Sequence, residues 1–190
     1  MIAGRCKGRR LRPPGWEGLR PTSDRLRGSL FEVIGARVEG ARLLDGFAGT
    51  GAVGIEALSR GAAHVTFVET DRRAVALITK NLASAGLTGG YTVDPRPVHV
   101  VLAQWPGEPL DLVFLDPPYY ETGDLGELLK VAASVLAPSG LLVLEHAVRR
   151  DAPPAAGTLP RVRLLRAGDS ALSFYAAASG APGGEEVERS

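Results

Sequence analysis

The stretch LDPPYY at residues 115–120 follows the apolar run DLVF with one acid, two prolines and two tyrosines. Proline has no amide proton, holds its own φ at about −65° and pushes the residue before it into an extended conformation. Asp116 is therefore predicted at the end of a strand. Because each proline keeps its carbonyl, this turn is rich in acceptors and suits a ligand that brings N–H groups. The alternative is a rigid strand cap whose tyrosines cover the core.

A second candidate site is the glycine-rich stretch GTGAVG, which follows the short apolar run RLLDGF. It matches the pattern G-x-G-x-x-G, and Glu69 follows Gly49 by twenty residues at the end of another apolar run. Glycines let a backbone approach a ligand closely, and an acid at that distance accepts from ribose hydroxyls. The pattern predicts a nucleotide-containing ligand, and a dinucleotide such as NAD would satisfy it as well.

Two further features separate these ligands. Asp45 comes directly before the loop, where a carboxylate does nothing for a pyrophosphate but suits a cationic group such as the ammonium and sulfonium of S-adenosylmethionine. The run DGFAGTG with a later DPPY resembles the S-adenosylmethionine-dependent methyltransferases that modify exocyclic amines of nucleobases. That resemblance implies S-adenosylmethionine as the cofactor and gives LDPPYY a chemical role.

An exocyclic amine is a poor nucleophile because its lone pair is delocalised into the ring. If the Asp116 carboxylate and the Pro117 carbonyl each accept one N–H, the nitrogen becomes more tetrahedral and its lone pair points at the methyl group. Tyr119 would stack on the base, which must be single-stranded or flipped out of a helix. The predicted catalytic residues are therefore Asp116, Pro117, Pro118 and Tyr119.

Strands and helices alternate along most of the chain. A helix over PTSDRLRGSLFEVIGARV, capped by Thr22 or Ser23, is followed by strands predicted at residues 42–47, 64–69, 97–103, 111–116 and 140–147, with helices after the first, second and fourth. This alternation predicts an α/β fold with a parallel sheet covered on both faces. RVRLLR and SALSFYAA predict an antiparallel hairpin at the sheet edge. We expect one methyltransferase domain over residues 22–177 and a flexible tail over 178–190.

Composition agrees with a single globular domain, since 45% of the 190 residues are hydrophobic and 23% are charged. No apolar run approaches the roughly 20 residues of a membrane span, and the N-terminus lacks the apolar region of a signal peptide, so a cytoplasmic location is expected. Cys6 is the single cysteine, and the three histidines show no metal-ligand spacing. No metal site is expected, and the chain is expected to be a monomer.

Charge is distributed unevenly. Residues 1–27 carry a formal net charge of +6, whereas the whole chain carries +1. A basic arm or hairpin over residues 1–21, without an amphipathic apolar face, predicts a nucleic-acid partner rather than a membrane. The predicted RNA-binding residues are Arg5, Lys7, Arg9, Arg10 and Arg12. The alternative is a freely solvated terminus, and charge alone does not separate the two.

The N-terminal half resembles one family, the RsmD-type guanine-N2 methyltransferases of bacterial small-subunit (16S) rRNA. The resemblance is carried by IAGRCKGRRL, LRPTSDRLRGSLFEVI, DGFAGTGAVGIEALSRGA, FVETDRRA and FLDPPY. It implies a Rossmann-like seven-stranded sheet of order 3-2-1-4-5-7-6 with the seventh strand antiparallel, and ribosomal RNA in a small-subunit particle as the partner. The cofactor-binding residues that it implies are Arg20, Thr22, Arg25, Asp45, Phe47, Gly49, Gly51, Glu69, Thr70, Ala103 and Asp116.

Two departures and several alternatives remain. Such enzymes often have a polar residue for the adenine amine after strand three, where VVLAQW offers Leu102 and Ala103, so a backbone group or Gln104 would take that role. Gly28 lies inside the first helix, at a cost of about 1 kcal/mol. DPPY would also serve an adenine-N6 methyltransferase acting on RNA or DNA. A nucleotide-binding module or an NAD-dependent dehydrogenase would keep the glycine loop but leave LDPPYY without a role.

Overall fold

The alternation of strands and helices predicted from the sequence is present in a computed structural model, which describes residues 1–16, 23–118 and 124–177. The helices and strands are α1 (Asp24–Ile34), β1 (Arg42–Gly46), α2 (Ala52–Ser59), β2 (His64–Val68), α3 (Arg72–Ser84), β3 (Tyr91–Asp94), α4 (Val98–Ala103), β4 (Leu110–Leu115), α5 (Leu125–Ser134), β5 (Leu136–Ala147), β6 (Ala155–Ala156), β7 (Leu159–Ala167) and β8 (Ser170–Tyr175). The predicted tail, residues 178–190, lies outside the described residues.

The strands form one sheet of order β3-β2-β1-β4-β5-β8-β7-β6. Neighbours from β3 to β5 pair in parallel, and β8 runs antiparallel to both β5 and β7. Since β7 and β8 are the sixth and seventh predicted strands, the predicted order with an antiparallel seventh strand is confirmed. The sheet has one strand more than predicted, because two residues of the proline-rich segment, Ala155–Ala156, pair with β7.

The third strand was predicted in the wrong place. Residues 97–103 form helix α4, and the strand is the preceding YTVD, Tyr91–Asp94. Pro97 serves as the N-cap of α4, where its missing amide proton costs nothing. Val98, Val101 and Leu102 are buried at helical spacing, so the apolar run covers the sheet instead of joining it. The fifth strand also begins earlier than predicted, at Leu136.

Alternate residues of each central strand face two separate layers of helices. Leu43 and Phe114 belong to the core shared with α1, α2 and α3, whereas Leu44 and Leu115 pack with α4 and α5. Side chains alternate between the faces of a strand, so Asp45 occupies a position on the side of α1–α3. Helices therefore cover both faces of the sheet. The ends of the strands remain available at its edge, and a site can form there.

Helix α1 confirms the predicted cap and buried face. The Ser23 side chain accepts a hydrogen bond of 3.1 Å from the Leu26 amide, and Leu26, Leu30, Phe31 and Ile34 are buried. Gly35, with a φ of 52°, ends the helix. In the described ranges, no helix is both long and apolar enough to span a bilayer.

Candidate active site at the carboxyl ends of the central strands

The two sequence motifs meet where the strand order reverses. The chain passes from β1 outward to β2 and β3, and then returns to β4 on the other side of β1. In open α/β sheets, such a switch point leaves a crevice at the carboxyl ends of the strands, and ligands bind there. The Asp116 amide donates to the carbonyl of Gly46 at 3.3 Å, so LDPPYY begins directly beside the start of the glycine loop.

Positive φ angles shape the loop between β1 and α2. Gly49 has a φ of 54° and Gly51 a φ of 75°, and Phe47, at 60°, is the one non-glycine residue with a positive φ in the described part of the chain. Gly51 is the N-cap of α2 and donates to the carbonyl of Ala48 at 2.7 Å. A non-glycine residue in this region is strained, and such strain is often found at ligand sites. The loop directs the amino end of α2 into the crevice.

Asp45 lies beneath this loop with 2% of its surface exposed. Its Oδ2 accepts a hydrogen bond of 2.8 Å from the Gly54 amide, in the first turn of α2. Burial raises the pKa of Asp45 to about 7; the hydrogen bond from Gly54 opposes this rise and the charge of Glu69 adds to it. Sequence reasoning found the acid but missed this second role, in which Asp45 holds the start of helix α2.

Glu69, at the end of β2, holds the other side of the loop. Its Oε2 accepts from the Gly49 amide at 2.8 Å, and its Oε1 accepts from the Asp71 amide at 2.9 Å. Each carboxylate oxygen has a second lone pair, so Glu69 can still accept from a ligand. Thr70 follows it and is exposed.

No ion pair within the described ranges neutralises Asp45 or Glu69. Two acids whose charges interact therefore flank the loop, and in the described ranges no cationic side chain pairs with either of them. A ligand with a cationic group and ribose hydroxyls would supply the missing partners. These residues fit S-adenosylmethionine, which carries both.

The DPP turn follows β4, at the same carboxyl edge of the sheet as the glycine loop and across β1 from Glu69. Asp116 is half-buried, Pro117 is buried and Pro118 is exposed. Tyr119 lies outside the described residues, as do Arg20 and Thr22, so their predicted roles stay predictions. Arg25 lines a shallow groove together with Ile2, Gly28 and Ala167, between α1 and the β7–β8 hairpin.

The corrected position of β3 changes the residues around the predicted adenine site. Ala103 is the last residue of α4 and is exposed, and Leu102 is buried in the core, so the argument that placed Ala103 after strand three does not hold. Asp94 ends β3 instead, and its carbonyl accepts from the Glu69 amide at 3.1 Å. Sequence reasoning missed Asp94 because the short, half-exposed YTVD was not assigned to a strand.

Arg96 joins Asp94 to Gln104 in the loop after β3. Its Nη2 lies 2.7 Å from Oδ2 of Asp94, and its Nη1 donates to Oε1 of Gln104 at 3.3 Å. Hydrogen bonding to this guanidinium holds the pKa of Asp94 below its usual value. Gln104 is therefore held beside the carboxyl end of β3, where the sequence suggested that it could meet the cofactor adenine.

Residues 1–16 are fastened to α2 and α3 through their backbone. The amides of Ile2 and Ala3 both donate to Glu56 at 2.9 Å, and the Cys6 amide donates to the Ser59 hydroxyl at 2.9 Å. Glu56 is fully buried, so these bonds replace water at a carboxylate inside the protein. This part of the predicted arm contains one 3₁₀ turn, Gly4–Cys6, and no strand, so it does not form a hairpin by itself.

The arm continues along α3 toward the crevice. The Arg12 amide donates to Oδ1 of Asn81 at 2.8 Å, and the Arg73 guanidinium lies 5.0 Å from the centre of the Trp16 ring. All five predicted RNA-binding side chains are exposed, namely those of Arg5, Lys7, Arg9, Arg10 and Arg12. The arm thus combines a fixed backbone with a basic outer surface, which argues against a freely solvated terminus.

Known proteins are similar to this chain over most of its length. The family described as Conserved hypothetical protein 95 matches residues 1–176. Ribosomal RNA small subunit methyltransferase D of Escherichia coli K12 is 38% identical over 179 residues, which cover 92% of this chain and 88% of that protein. The solved structure of yhhF from Escherichia coli has a TM-score of 0.81 at 34% identity and covers 94% of this chain and 97% of its own. A hypothetical protein of Thermus thermophilus has a TM-score of 0.77 at 33% identity, covering 93% of this chain and 98% of its own.

Proposed function

Because this chain belongs to the RsmD family of rRNA methyltransferases, we propose that it methylates the N2 amine of a guanine in small-subunit ribosomal RNA. Methylation of ribosomal RNA is the activity of the family. S-adenosylmethionine is the methyl donor of these enzymes and supplies a methyl group on a positively charged sulfur. Our proposal adds the identity of the methyl acceptor, the N2 amine of a guanine.

One observation carries the proposal, namely the direct contact between the two halves of the site. The hydrogen bond from the Asp116 amide to the Gly46 carbonyl puts the acceptor-rich turn next to the glycine loop, within the same crevice. A donor bound over the loop and an amine bound at the turn would therefore be neighbours. A nucleotide-binding module or a dehydrogenase would have no use for the second half.

The protein's own contribution is binding and alignment. Asp45 and Glu69 would hold the cofactor by charge and by hydrogen bonds to its ribose hydroxyls, with Gly49 and Gly51 giving close access to the backbone. The Asp116 carboxylate and the Pro117 carbonyl would accept the two N–H bonds of the amine and turn its lone pair toward the methyl group. Tyr119 would stack on the target base, a contact worth about 1–3 kcal/mol.

The substrate would approach over the basic arm. RNA binding draws much of its free energy from phosphates neutralised by Lys and Arg. Because the arm backbone is held against α2 and α3, its exposed cations are already arranged on a surface that leads toward the crevice. Less conformational entropy is then lost when RNA binds.

Base replacement in a substrate RNA tests the guanine assignment. Inosine lacks only the N2 amine of guanosine, so RNA with inosine at the target position should accept no methyl group. 2-Aminopurine restores that amine without O6 and should recover part of the activity. Methyl transfer is measured with isotopically labelled S-adenosylmethionine, and the modified nucleoside is identified by mass spectrometry.

Two results would reject the proposal. Normal methylation of the inosine RNA would show that N2 is not the acceptor. A higher rate with adenosine than with guanosine would assign the enzyme to adenine N6, since the acceptors at Asp116 and Pro117 would serve either amine.

A further inference from the structure

Asn81 is a buried amide that joins the arm to the glycine loop. It is the one polar residue among the buried residues of α3 and is fully buried. Its Nδ2 donates to the Thr50 carbonyl at 3.0 Å and to the Arg12 carbonyl at 3.3 Å, and its Oδ1 accepts from the Arg12 amide at 2.8 Å. One side chain therefore contacts both the RNA-facing arm and the loop between Gly49 and Gly51.

The amide group is matched to these three backbone groups. An asparagine side chain has two N–H donors and one carbonyl acceptor, and Asn81 uses all three. A leucine would fill the same space on α3 and leave one amide and two carbonyls without partners. Burying an amide is unfavourable unless it is hydrogen-bonded, so packing alone does not account for an asparagine at this position.

Asn81 adds to the hydrogen bonds that the amides of Ala48, Gly49 and Gly51 donate within and around the loop. Gly49 and Gly51 on either side of Thr50 both have positive φ angles, and glycine moves more freely than other residues. The Gly49 amide is fixed by Glu69 and Gly51 by Ala48, which leaves the Thr50 carbonyl to Asn81. Asn81 is therefore in a position to set the conformation of the loop.

A second contact brings the arm close to Glu69. Trp16 stacks with the Arg73 guanidinium, and Arg73 pairs with Asp71 at 2.7 Å. The Asp71 amide in turn donates to Glu69 at 2.9 Å. The arm therefore reaches the cofactor side of the crevice at two points, of which the Asn81 contact is buried.

We infer that Asn81 is a positioning residue through which RNA bound to the arm and cofactor bound at the glycine loop strengthen each other's binding. RNA bound to the arm would further stabilise the docked Arg12 backbone on the Asn81 amide, and through it hold the Thr50 carbonyl in the conformation that the cofactor needs. Coupling between two sites is reciprocal, so bound cofactor would tighten RNA binding by the same factor. The inference rests on the proposed function, because it requires both ligands.

The coupling is measured as a ratio of cofactor affinities. S-adenosylhomocysteine, which cannot react, is titrated by calorimetry into the protein alone and into its complex with unmethylated small ribosomal subunits. In the wild type, the dissociation constant should fall about fivefold or more when the subunits are present, the lower end of typical coupling. Asn81→Ala should bring this ratio close to one.

Variants of Arg12 test the coupling without replacing a core side chain. Arg12→Ala removes the side-chain charge but keeps the backbone amide, whereas Arg12→Pro also removes the amide that donates to Asn81. We expect Arg12→Ala to bind RNA more weakly but to keep most of the ratio at saturating subunits. Arg12→Pro should bring the ratio close to one. This variant therefore tests the coupling even if Asn81→Ala fails to fold.

The outcomes separate this inference from the proposed function. A wild-type ratio of one with both ligands bound would overturn the coupling and leave the methyltransferase assignment intact. The role of Asn81 would be overturned if Arg12→Pro had the same affinity ratio as the wild type. It would also be overturned if Arg12→Ala and Arg12→Pro lowered the ratio equally. Failure of the wild type to bind S-adenosylhomocysteine would instead count against the proposed function.

Discussion

The carboxylate of Asp45 accepts a hydrogen bond of 2.8 Å from the backbone amide of Gly54, the third residue of helix α2. The acid that precedes the glycine loop is thus bound to the helix that follows it, and the loop is closed between them. Burial nevertheless raises the pKa of Asp45 to about 7. In the free protein, the charge of this acid therefore changes close to neutral pH, and a cationic ligand would favour the ionised form.

Cofactor affinity should consequently rise with pH. If the cofactor binds the ionised form of Asp45, its affinity should increase roughly tenfold between pH 6 and 7.5, because the ionised fraction grows by about that factor around a pKa of about 7. Calorimetric titrations with S-adenosylhomocysteine across this range measure the effect. Asp45→Asn should bind more weakly and show no such rise, and an equal rise in this variant would assign the titration to another group.

Folding stability should show the opposite trend in the absence of cofactor. The pKa of Asp45 is higher in the folded state than its value of 3.8 in the unfolded chain, so the folded protein binds the proton more tightly. Its contribution to stability is complete below about pH 4 and is lost as the pH rises toward 7. Urea unfolding at pH 5 and 8 gives the free energies of unfolding of the wild type and Asp45→Asn. The free energy of the wild type relative to that of the variant should be lower at pH 8 than at pH 5.

Glu69 should contribute to cofactor binding more than its neighbour Asp71. Glu69→Ala removes the acceptor for the ribose hydroxyls and frees the Gly49 amide, so cofactor affinity should fall by about 1.5–3 kcal/mol. Asp71→Asn is the matched control, because it also removes one negative charge two residues away while asparagine can still cap α3. Similar losses in both variants would indicate a general electrostatic effect instead of a ribose contact.

Asp116 should affect turnover more than affinity. If its carboxylate aligns the amine mainly in the transition state, Asp116→Ala should lower kcat by about 100-fold, the scale of losing one preorganised polar contact. Binding of S-adenosylhomocysteine should change little, because the amine belongs to the RNA. Single-turnover methylation gives the rate of the chemical step and calorimetry gives affinity; normal turnover in the variant would remove Asp116 from the mechanism.

The arm should contribute to RNA binding through individual charges. Lys7→Ala should weaken RNA binding and lower the log–log salt slope by about 0.7, the value for one lost phosphate contact on single-stranded RNA. Lys130→Ala, on helix α5, removes the same charge from the opposite face of the sheet and should leave the slope unchanged. Filter-binding measurements over a range of salt concentrations compare the two, and equal slopes would deny the arm a specific role.

The family resemblance implied the sheet order, whereas the positions of the two motifs at the ends of strands followed from their residues. The DGFAGTG and DPPY patterns combine local backbone demands with chemistry, so they could be placed at the ends of strands without a structure. Residues 97–103 could not, because a short run of apolar β-branched residues fits a buried strand and a helix equally well. That error hid Asp94 and left Ala103 in a role for which its position gives no support.

Contacts between distant segments were beyond the reach of sequence patterns. Glu56 and Asn81 occupy ordinary helical positions in the sequence, and nothing in their spacing indicates that they bind the backbone of residues 2, 3 and 12. Their importance follows from burial, since a buried carboxylate or amide must find partners. The basic arm was visible from its charge, whereas its attachment required the fold.

Two glycines in helices should respond in opposite ways to the same substitution. A Cβ on Gly54 would lie 2.3 Å from Cε1 of Phe67 and 2.8 Å from Cγ1 of Val65, and both side chains are fully buried. Gly54→Ala should therefore destabilise the protein by about 1–3 kcal/mol through overpacking, and should weaken cofactor binding by moving α2 away from Asp45.

At Gly28 on α1 the nearest atom, Cδ1 of Ile2, would be 3.8 Å away, so Gly28→Ala should stabilise the protein by up to about 1 kcal/mol. Urea unfolding measures both changes, and a stabilised Gly54→Ala would mean that α2 and β2 do not pack as closely as the structure shows.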